Sequence, residues 1–224
     1  MRAFGEPLED PIWVREGGLA FEVSLNESQH AGLFLDQRDN RRRLALGAAG
    51  ARVANLFAFT CSFSALAVSA GAEVAFSLDL AAGSLDRGKR TFARNGLDAG
   101  GRGKFVREDV RDWLARQRRK KERDGPAWRG WDWIICDPPV FAAAGAGKAF
   151  SVEKEWPALA EACRDLLTPS GTALFSNNHR SGPEAFYQDV LTRHFHQVQP
   201  LTPPLDFPAL PGEAAHVRLF SCRP

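Results

Sequence analysis

The stretch that most constrains the fold is residues 131–141, which read WDWIICDPPVF. Its apolar part, residues 131–136, has the length and continuity of a strand that is buried on both faces of a parallel sheet. Proline cannot donate to a strand ladder and restricts the residue before it, so the backbone leaves the sheet at Asp137. The sequence thus places a carboxylate at the end of a buried strand, followed by a stiff turn and Phe141. In open α/β sheets, ligands bind at that edge.

Strand-like and helix-like segments alternate along most of the chain. The predicted strands lie at 52–57, 73–78, 104–106, 131–136 and 172–176. The predicted helices lie at 61–70, 81–95, from 110 onward, at 152–167 and at 183–193. Such alternation predicts an α/β fold with a mostly parallel sheet and helices on both faces. Two closing strands, at 198–201 and 216–222, have no full helix between them. They predict an antiparallel edge hairpin that completes a seven-stranded sheet.

Residues 1–40 are predicted to form a short N-terminal β arm or lid, because the glycine pair at 17–18 separates two apolar runs. Residues 41–224 are predicted to form the main domain. Hydrophobic residues make up 44% of the chain, which is enough for a full core, and the formal charge is only +2. We find no apolar run of transmembrane length, no apolar signal core and no CxxC pair. We therefore expect a cytoplasmic protein without a membrane segment, a metal site or a disulfide framework.

Three acidic residues follow successive predicted strands and are expected to meet at one edge of the sheet. Asp79 could accept hydrogen bonds from ribose hydroxyls. Asp109 could accept one from an adenine amine, or could simply cap the next helix. Asp137 is the third. The loop at 57–64 lacks the GxGxxG pattern that holds a pyrophosphate, so the edge fits an adenosine ligand without one, such as S-adenosylmethionine.

The same segments, taken in order, carry a family resemblance. NLFAFTCSFS, SLDL, NGLD, REDVRDWL, DPPVF and FSVEKEWPAL, preceded by GLFLDQRDNRR, resemble class I S-adenosylmethionine-dependent methyltransferases. Within that class they look most like the large-subunit rRNA methyltransferases I and K/L. The resemblance covers roughly residues 32–176 and implies a Rossmann-like fold, S-adenosylmethionine as cofactor and an rRNA base as substrate.

The resemblance also implies which positions hold the cofactor. One group would close over it: Phe34, Asp36 and Arg38. A second would surround its methionine part: Asn55, Phe57, Phe59, Thr60 and Ser62. A third would hold its ribose and adenine: Asp79, Leu80, Asp109 and Val110.

Other positions would act on the substrate. Residues Asp137, Pro138 and Pro139 would face both the methionine and the target base, and Phe141 would stack on that base once it is unstacked. Three basic residues are expected to contact RNA phosphates: Arg41, Arg42 and Lys148. The basic run at 116–123 is better explained as a solvated helix end.

The chain departs from the resembled family at one point that bears on mechanism. Members that methylate a cytosine carbon use a cysteine after the fifth strand, but here residues 175–180 read FSNNHR. We therefore predict direct in-line transfer without a covalent intermediate. The short segment before the main domain leaves no room for the RNA-binding domain of the methyltransferase I branch. A small-molecule or protein substrate thus stays open, as does a cofactor-binding module without catalysis. Absence of GxGxxG argues against a nicotinamide dehydrogenase.

Overall fold

The fold was determined from a computed structural model, which describes residues 9–26, 30–142, 149–179, 184–208 and 217–224. Secondary structure follows the predicted alternation. In chain order the elements are β1 (Ile12–Glu16), β2 (Leu19–Val23), α1 (Arg38–Leu46), β3 (Arg52–Leu56), α2 (Ser62–Ser69), β4 (Val74–Leu78), α3 (Ala82–Arg94), β5 (Gly103–Val106), α4 (Val110–Asp124), β6 (Trp131–Cys136), β7 (Phe141–Ala142), β8 (Phe150–Ser151), α5 (Val152–Leu166), β9 (Leu167–Asn177), α6 (Glu184–His194), β10 (Gln197–Pro200) and β11 (Arg218–Arg223).

Seven strands form the central sheet in the order β10-β11-β9-β6-β3-β4-β5. The five strands from β9 to β5 are parallel, whereas β11 pairs antiparallel with both β9 and β10. This confirms the predicted mostly parallel sheet with an antiparallel edge. The chain runs outward from β3 to β5 and then returns to β6 on the other side of β3. The switch point therefore lies between β3 and β6, where ligands bind in open α/β sheets.

Helices cover both faces of the sheet, because neighbouring strand residues point to opposite sides. Ile134 packs in a core with α4, α5 and α6, whereas the next residue, Ile135, packs in a second core with α1 and α2. The first core contains three fully buried tryptophans, at 113, 131 and 156. No helix in the described ranges combines the length and the apolar character that crossing a membrane requires.

The predicted hairpin near the start is confirmed as β1 and β2, with the turn at 17–18. Leu19 and Phe21 of β2 are buried in the same core as α2. The division at residue 40 stays a prediction, but that boundary falls within helix α1, which the sequence pattern did not indicate. Hairpin and main domain therefore share a core and are joined through a helix.

Candidate functional site

The parallel strands bring their carboxyl ends to one edge, as predicted. Asp79 follows β4, Asp137 follows β6, and Asp109 caps α4 after β5. The loop at 57–61 follows β3 and lies at the switch point. The structure thus gathers the three predicted carboxylates and the glycine-free loop along one edge of the sheet.

The loop after β3 has an unusual backbone. Phe57, Phe59 and Cys61 all have positive φ angles, of 55°, 47° and 63°. Such left-handed conformations at residues other than glycine cost on the order of 1–3 kcal/mol each, and they cluster at ligand sites. Asp79 helps to hold this loop, because its Oδ2 accepts a hydrogen bond of 2.8 Å from the Phe59 backbone N–H.

Asp79 keeps acceptor capacity for a ligand. Its second oxygen, Oδ1, accepts a 2.8 Å hydrogen bond from the Ala81 backbone N–H, so the carboxylate is fixed at both oxygens. Each carboxylate oxygen has a further lone pair. Leu80, beside it, is 59% exposed and offers an apolar surface. This pairing of a fixed carboxylate with an exposed apolar side chain suits a ribose next to an adenine.

Asp109 is both a helix cap and a charged acceptor. Its Oδ1 accepts the Arg111 backbone N–H at 2.8 Å, and the Arg111 guanidinium donates to Oδ2 at 2.6 Å. The hydrogen bond from Arg111 is the main cause that lowers the pKa of Asp109. The capping prediction is confirmed. Val110 is buried in the same core as Trp113, and its place against the adenine stays a prediction.

A segment comprising residues 30–34, here called the lid segment, covers the loop after β3. The Phe34 ring lies 5.4 Å from the Phe59 ring and 5.0 Å from the His30 ring. These residues line an open pocket of about 170 Å³. Thr60 was predicted to contact the cofactor, but its hydroxyl donates to the Gly32 carbonyl oxygen at 2.6 Å and so ties the lid segment down.

The lid segment is also held from α3. Arg87 donates to the Ala31 carbonyl oxygen at 2.8 Å. Gly32 has a φ of +117°, and a Cβ there would lie 2.8 Å from the Glu22 carbonyl oxygen, so a side chain at this position would strain the backbone. Two side chains from separate elements thus fix the backbone that carries Phe34.

Asp137 is half-buried at the end of β6. Its Oδ1 accepts a 2.5 Å hydrogen bond from the Ser176 hydroxyl, and its Oδ2 lies 3.5 Å from Nε2 of Gln37. Burial raises the pKa of Asp137 to about 6; the charge of Asp36 adds to this, while Ser176 and Arg41 act in the opposite direction. The group therefore changes protonation state close to neutral pH.

The residues that follow Asp137 differ in their exposure. Pro138 is buried and Pro139 is exposed. Phe141 is 65% exposed and lies in β7, which pairs with β8. The pairing fixes the backbone at Phe141 while its ring stays accessible.

Several other predicted site residues make contacts within the protein, and their roles at the cofactor stay predictions. Asn55 is buried, and its Nδ2 donates to the Ser64 hydroxyl of α2 at 3.1 Å. Arg38 makes a bidentate ion pair with Asp206, at 2.7 and 3.1 Å. Ser62 is the half-buried first residue of α2, and Phe57 packs its ring 5.3 Å from that of Phe150.

The prediction that Arg41 contacts RNA phosphates is wrong. Arg41 is 1% exposed, and its guanidinium makes a bidentate ion pair with Glu16 at 2.6 and 2.7 Å. It joins α1 to the hairpin and has no free face for a phosphate. Arg42, one residue later, is exposed. Lys148 lies outside the described residues, as does most of the loop at 142–151.

A comparison with known families identifies the family of the chain. A model of the S-adenosylmethionine-dependent methyltransferases matches residues 2–221. The chain belongs to this family. The resemblance noted from the sequence is confirmed, and the cofactor is S-adenosylmethionine.

Curated relatives of the methyltransferase are named as large-subunit rRNA methyltransferases. The large-subunit rRNA methyltransferase K/L of Dichelobacter nodosus is 37% identical over 168 residues, which is 75% of this chain and 21% of that protein. The large-subunit rRNA methyltransferase K of Neisseria meningitidis is 35% identical over 173 residues, which is 77% of this chain and 47% of that protein. The chain thus spans less than half the length of these relatives.

Solved structures share the fold of the methyltransferase. The crystal structure of SMU.776 complexed with SAH is 28% identical, with a TM-score of 0.85 over 98% of this chain and 57% of that chain. An S-adenosylmethionine-dependent methyltransferase from Agrobacterium tumefaciens has a TM-score of 0.81 at 18% identity, over 98% of this chain and 72% of that chain. At this identity the match is evidence for a shared fold only.

Sequence reasoning missed three residues at the site of the methyltransferase. His30 and Gln37 come from the segment leading into α1, and Ser176 is the next-to-last residue of β9. For Ser176 a signal existed, because the predicted strand at 172–176 ends with it, at the edge where Asp137 was expected. Among the described residues, no cluster of three or more histidine, cysteine or acidic side chains is arranged to hold a metal ion.

Proposed function

We propose that this methyltransferase transfers a methyl group from S-adenosylmethionine to a base of large-subunit rRNA by direct in-line displacement. The observation that carries the proposal is the pairing of a half-buried acceptor, Asp137, with an exposed aromatic ring, Phe141, at the switch point of the sheet. The names of the curated relatives support rRNA as the substrate. An rRNA substrate would place the enzyme in the cytoplasm.

The residues at the edge fit the cofactor. Asp79 would accept from the ribose hydroxyls with the lone pairs that its backbone contacts leave, and Leu80 would lie against the adenine. Phe34 and Phe59 would enclose the methionine part, since their rings line the pocket under the lid segment. When bound, S-adenosylmethionine supplies an electrophilic methyl group on a sulfonium. Asp109, already ionised beside Arg111, would accept from the adenine amine.

Asp137 and Phe141 would orient the base. An ionised carboxylate only accepts hydrogen bonds, so Asp137 selects a base edge that presents an N–H. Phe141 would stack on the face of the same base, which must leave its own stack to reach the site. Holding the attacking nitrogen in line with the methyl group would lower the barrier by orientation, and no protein nucleophile is needed. The N–C bond would form as the S–C bond breaks, S-adenosylhomocysteine would leave, and the proton from the nitrogen would pass to Asp137 or to water.

A covalent cysteine route is disfavoured. Cys136, next to Asp137 in sequence, is fully buried, and burial raises the pKa of its thiol well above the usual value. Cys61 is also buried, and its pKa is raised to about 12 by burial. Only a thiolate attacks efficiently, so neither side chain is a suitable nucleophile. Ser176 occupies the end of β9, where the carbon-methylating enzymes of the resembled family carry their cysteine.

A small-molecule substrate is the second candidate, because part of the basic run on α4 is neutralised by ion pairs. Arg116 pairs with Glu108 at 2.5 Å, and Arg118 pairs with Asp165 at 2.6 Å. Fewer arginines are then left to neutralise phosphates than the sequence suggests. Arg42 and Lys148 stay the proposed RNA contacts.

The test is incubation of the protein with methyl-labelled S-adenosylmethionine and, separately, large-subunit rRNA, total protein and a small-molecule extract. The account predicts label in rRNA, and loss of that label in Asp137→Ala. Label that enters only small molecules or only protein would refute the RNA substrate. An Asp79→Ala control identifies transfer that does not use the described cofactor site.

A further inference from the structure

We propose that Gln37, Asn40 and Arg43 form a positioning relay that fixes the Asp137 carboxylate as a hydrogen-bond acceptor in the methyl-transfer site. The inference rests on the proposed function, in which Asp137 orients the base. The three relay residues are spaced three apart, from the turn before α1 into that helix, so they lie on one side of it. None of them was assigned this role from the sequence.

The relay is a continuous chain of hydrogen bonds. Nη1 of Arg43 donates to Oδ1 of Asn40 at 3.3 Å, and Nδ2 of Asn40 donates to Oε1 of Gln37 at 2.8 Å. Nε2 of Gln37 then faces Oδ2 of Asp137 at 3.5 Å. Gln37 and Asn40 are each 3% exposed, so bulk water does not compete for these amide groups. The chain links the surface of α1 to the centre of the site.

The chemistry of arginine determines the donor-to-acceptor direction of these hydrogen bonds. A guanidinium only donates, so Asn40 must turn its oxygen toward Arg43 and its NH₂ group toward Gln37. Gln37 must then turn its oxygen toward Asn40 and its NH₂ group toward Asp137. Reversing either amide would bring two acceptors or two donors face to face. Arg43 therefore determines, through two buried amides, that Asp137 meets a donor.

The second carboxylate oxygen is fixed from another element. Ser176 of β9 donates its hydroxyl proton to Oδ1 of Asp137 at 2.5 Å. With one donor on each oxygen, the plane of the carboxylate is defined, and the remaining lone pairs are the ones available to a base. The 3.5 Å contact from Gln37 is at the outer limit of a hydrogen bond, so we expect its contribution to be moderate.

The three consecutive arginines of α1 lie in different environments. Arg41 is buried in its ion pair with Glu16, Arg42 is exposed, and Arg43 is the exposed residue that anchors the relay. Arg42 therefore offers a matched control for the titration, which contains no RNA: it lies in the same helix, carries the same charge and is one residue away from Arg43.

The charged groups that face Asp137 must be considered together. Asp36, in the same turn as Gln37, raises its pKa, and Arg41 of α1 lowers it. Removing the Gln37 donor withdraws a contact that favours the ionised carboxylate. The pKa of Asp137 should therefore rise in Gln37→Met, and rise further in Gln37→Glu, which adds a negative charge.

The experiment is a ¹³C NMR titration of the Asp137 carboxyl, combined with the pH profile of methyl transfer. We expect Gln37→Met to raise the pKa of Asp137 and the midpoint of the profile by roughly 0.5–1 unit, the worth of one modest hydrogen bond. At pH 7, kcat should fall roughly three- to tenfold, with less than about a twofold change in KM for S-adenosylmethionine. Arg43→Met should produce a smaller shift in the same direction, and Arg43→Lys should restore the wild-type value.

The control and the contrary results are distinct. Arg42→Met loses the same charge and should leave the pKa of Asp137 unchanged. A shift in Arg42→Met equal to that in Arg43→Met, or no shift in either Gln37→Met or Gln37→Glu, overturns the relay. The titration needs no RNA, so it also separates the two proposals. If the shifts occur but the wild type methylates no RNA, the proposed function fails and the relay stands. If RNA is methylated and the pKa of Asp137 is the same in the wild type and the Gln37 variants, only the relay proposal fails.

Discussion

Replacing Arg41 by methionine separates a structural arginine from an RNA-binding one. Arg41 is 1% exposed, and two of its nitrogens donate to the Glu16 carboxylate at 2.6 and 2.7 Å. Its guanidinium carbon also lies 5.8 Å from the centre of the Phe63 ring. The variant would leave Glu16 charged in a place that retains little water, because that side chain is only 13% exposed.

The size of the effect follows from this burial. Removing one partner of a buried ion pair costs about 3–5 kcal/mol, since the other charge is left without compensation. Glu16 keeps some contact with water, so we expect the lower end, about 3 kcal/mol. In a domain of this size, that loss lowers Tm by roughly 6–12 °C.

Chemical denaturation followed by tryptophan fluorescence measures the difference in unfolding free energy. Arg42→Met is the matched control and should change that free energy by less than about 0.5 kcal/mol, as expected for an exposed site. Adding Glu16→Gln to Arg41→Met should recover part of the loss. If Arg41→Met is as stable as Arg42→Met, while its RNA affinity falls and depends less on salt, the structural assignment is wrong.

Four further predictions concern the site. Phe141→Ala should lower kcat/KM for RNA by roughly ten- to a hundredfold, because stacking of one base on an aromatic ring is worth about 1–3 kcal/mol. The affinity for S-adenosylmethionine should stay unchanged. An unaltered kcat/KM would contradict a stacking role. Asp137 has a pKa of about 6 in the native state, above the ordinary value of 3.8. Between pH 4 and 6 the native state therefore binds more protons than the unfolded state. The unfolding free energy falls as pH rises through this range. Asp137→Asn should therefore lose that pH dependence in denaturation curves measured from pH 4 to 8, and curves parallel to those of the wild type would refute the shifted pKa. Wild-type methyl transfer should instead increase as pH rises through about 6, when the acceptor ionises. Cys136→Ala should retain methyl transfer in the labelling assay, and complete loss in a folded variant would point to a covalent route.

Much of the fold was predictable because its signals are local. The continuous apolar run at 131–136 and the prolines after Asp137 define a buried strand and its exit, and the structure has both. Alternation of strand and helix patterns then determines that parallel strand ends share an edge, which brings Asp79, Asp109 and Asp137 together.

The sequence pattern did not predict helix α1, and the reason is physical. The side of the helix that faces the protein is formed by Asn40, Arg41 and Leu44, so two of its three buried residues are polar. Hydrophobic periodicity does not report such a helix. The burial of Arg41 depends on Glu16, 25 residues earlier, and a pairing at that separation leaves no local pattern. The contact of Gln37 with Asp137 likewise leaves no local sequence pattern, because the two residues are 100 positions apart.

The most direct test of the central claim, that the strand-end edge holds S-adenosylmethionine, is a calorimetric titration of the wild type and Asp79→Ala with this cofactor. Asp79 would provide charged acceptors to the ribose and also holds the loop after β3 through the Phe59 backbone. We expect saturable binding by the wild type and a loss of roughly a hundredfold or more in affinity for the variant, equivalent to two hydrogen bonds to a charged group. Cooperative thermal unfolding of Asp79→Ala would show that the variant is folded. Equal affinity in the two proteins, or no binding by the wild type, would contradict the account.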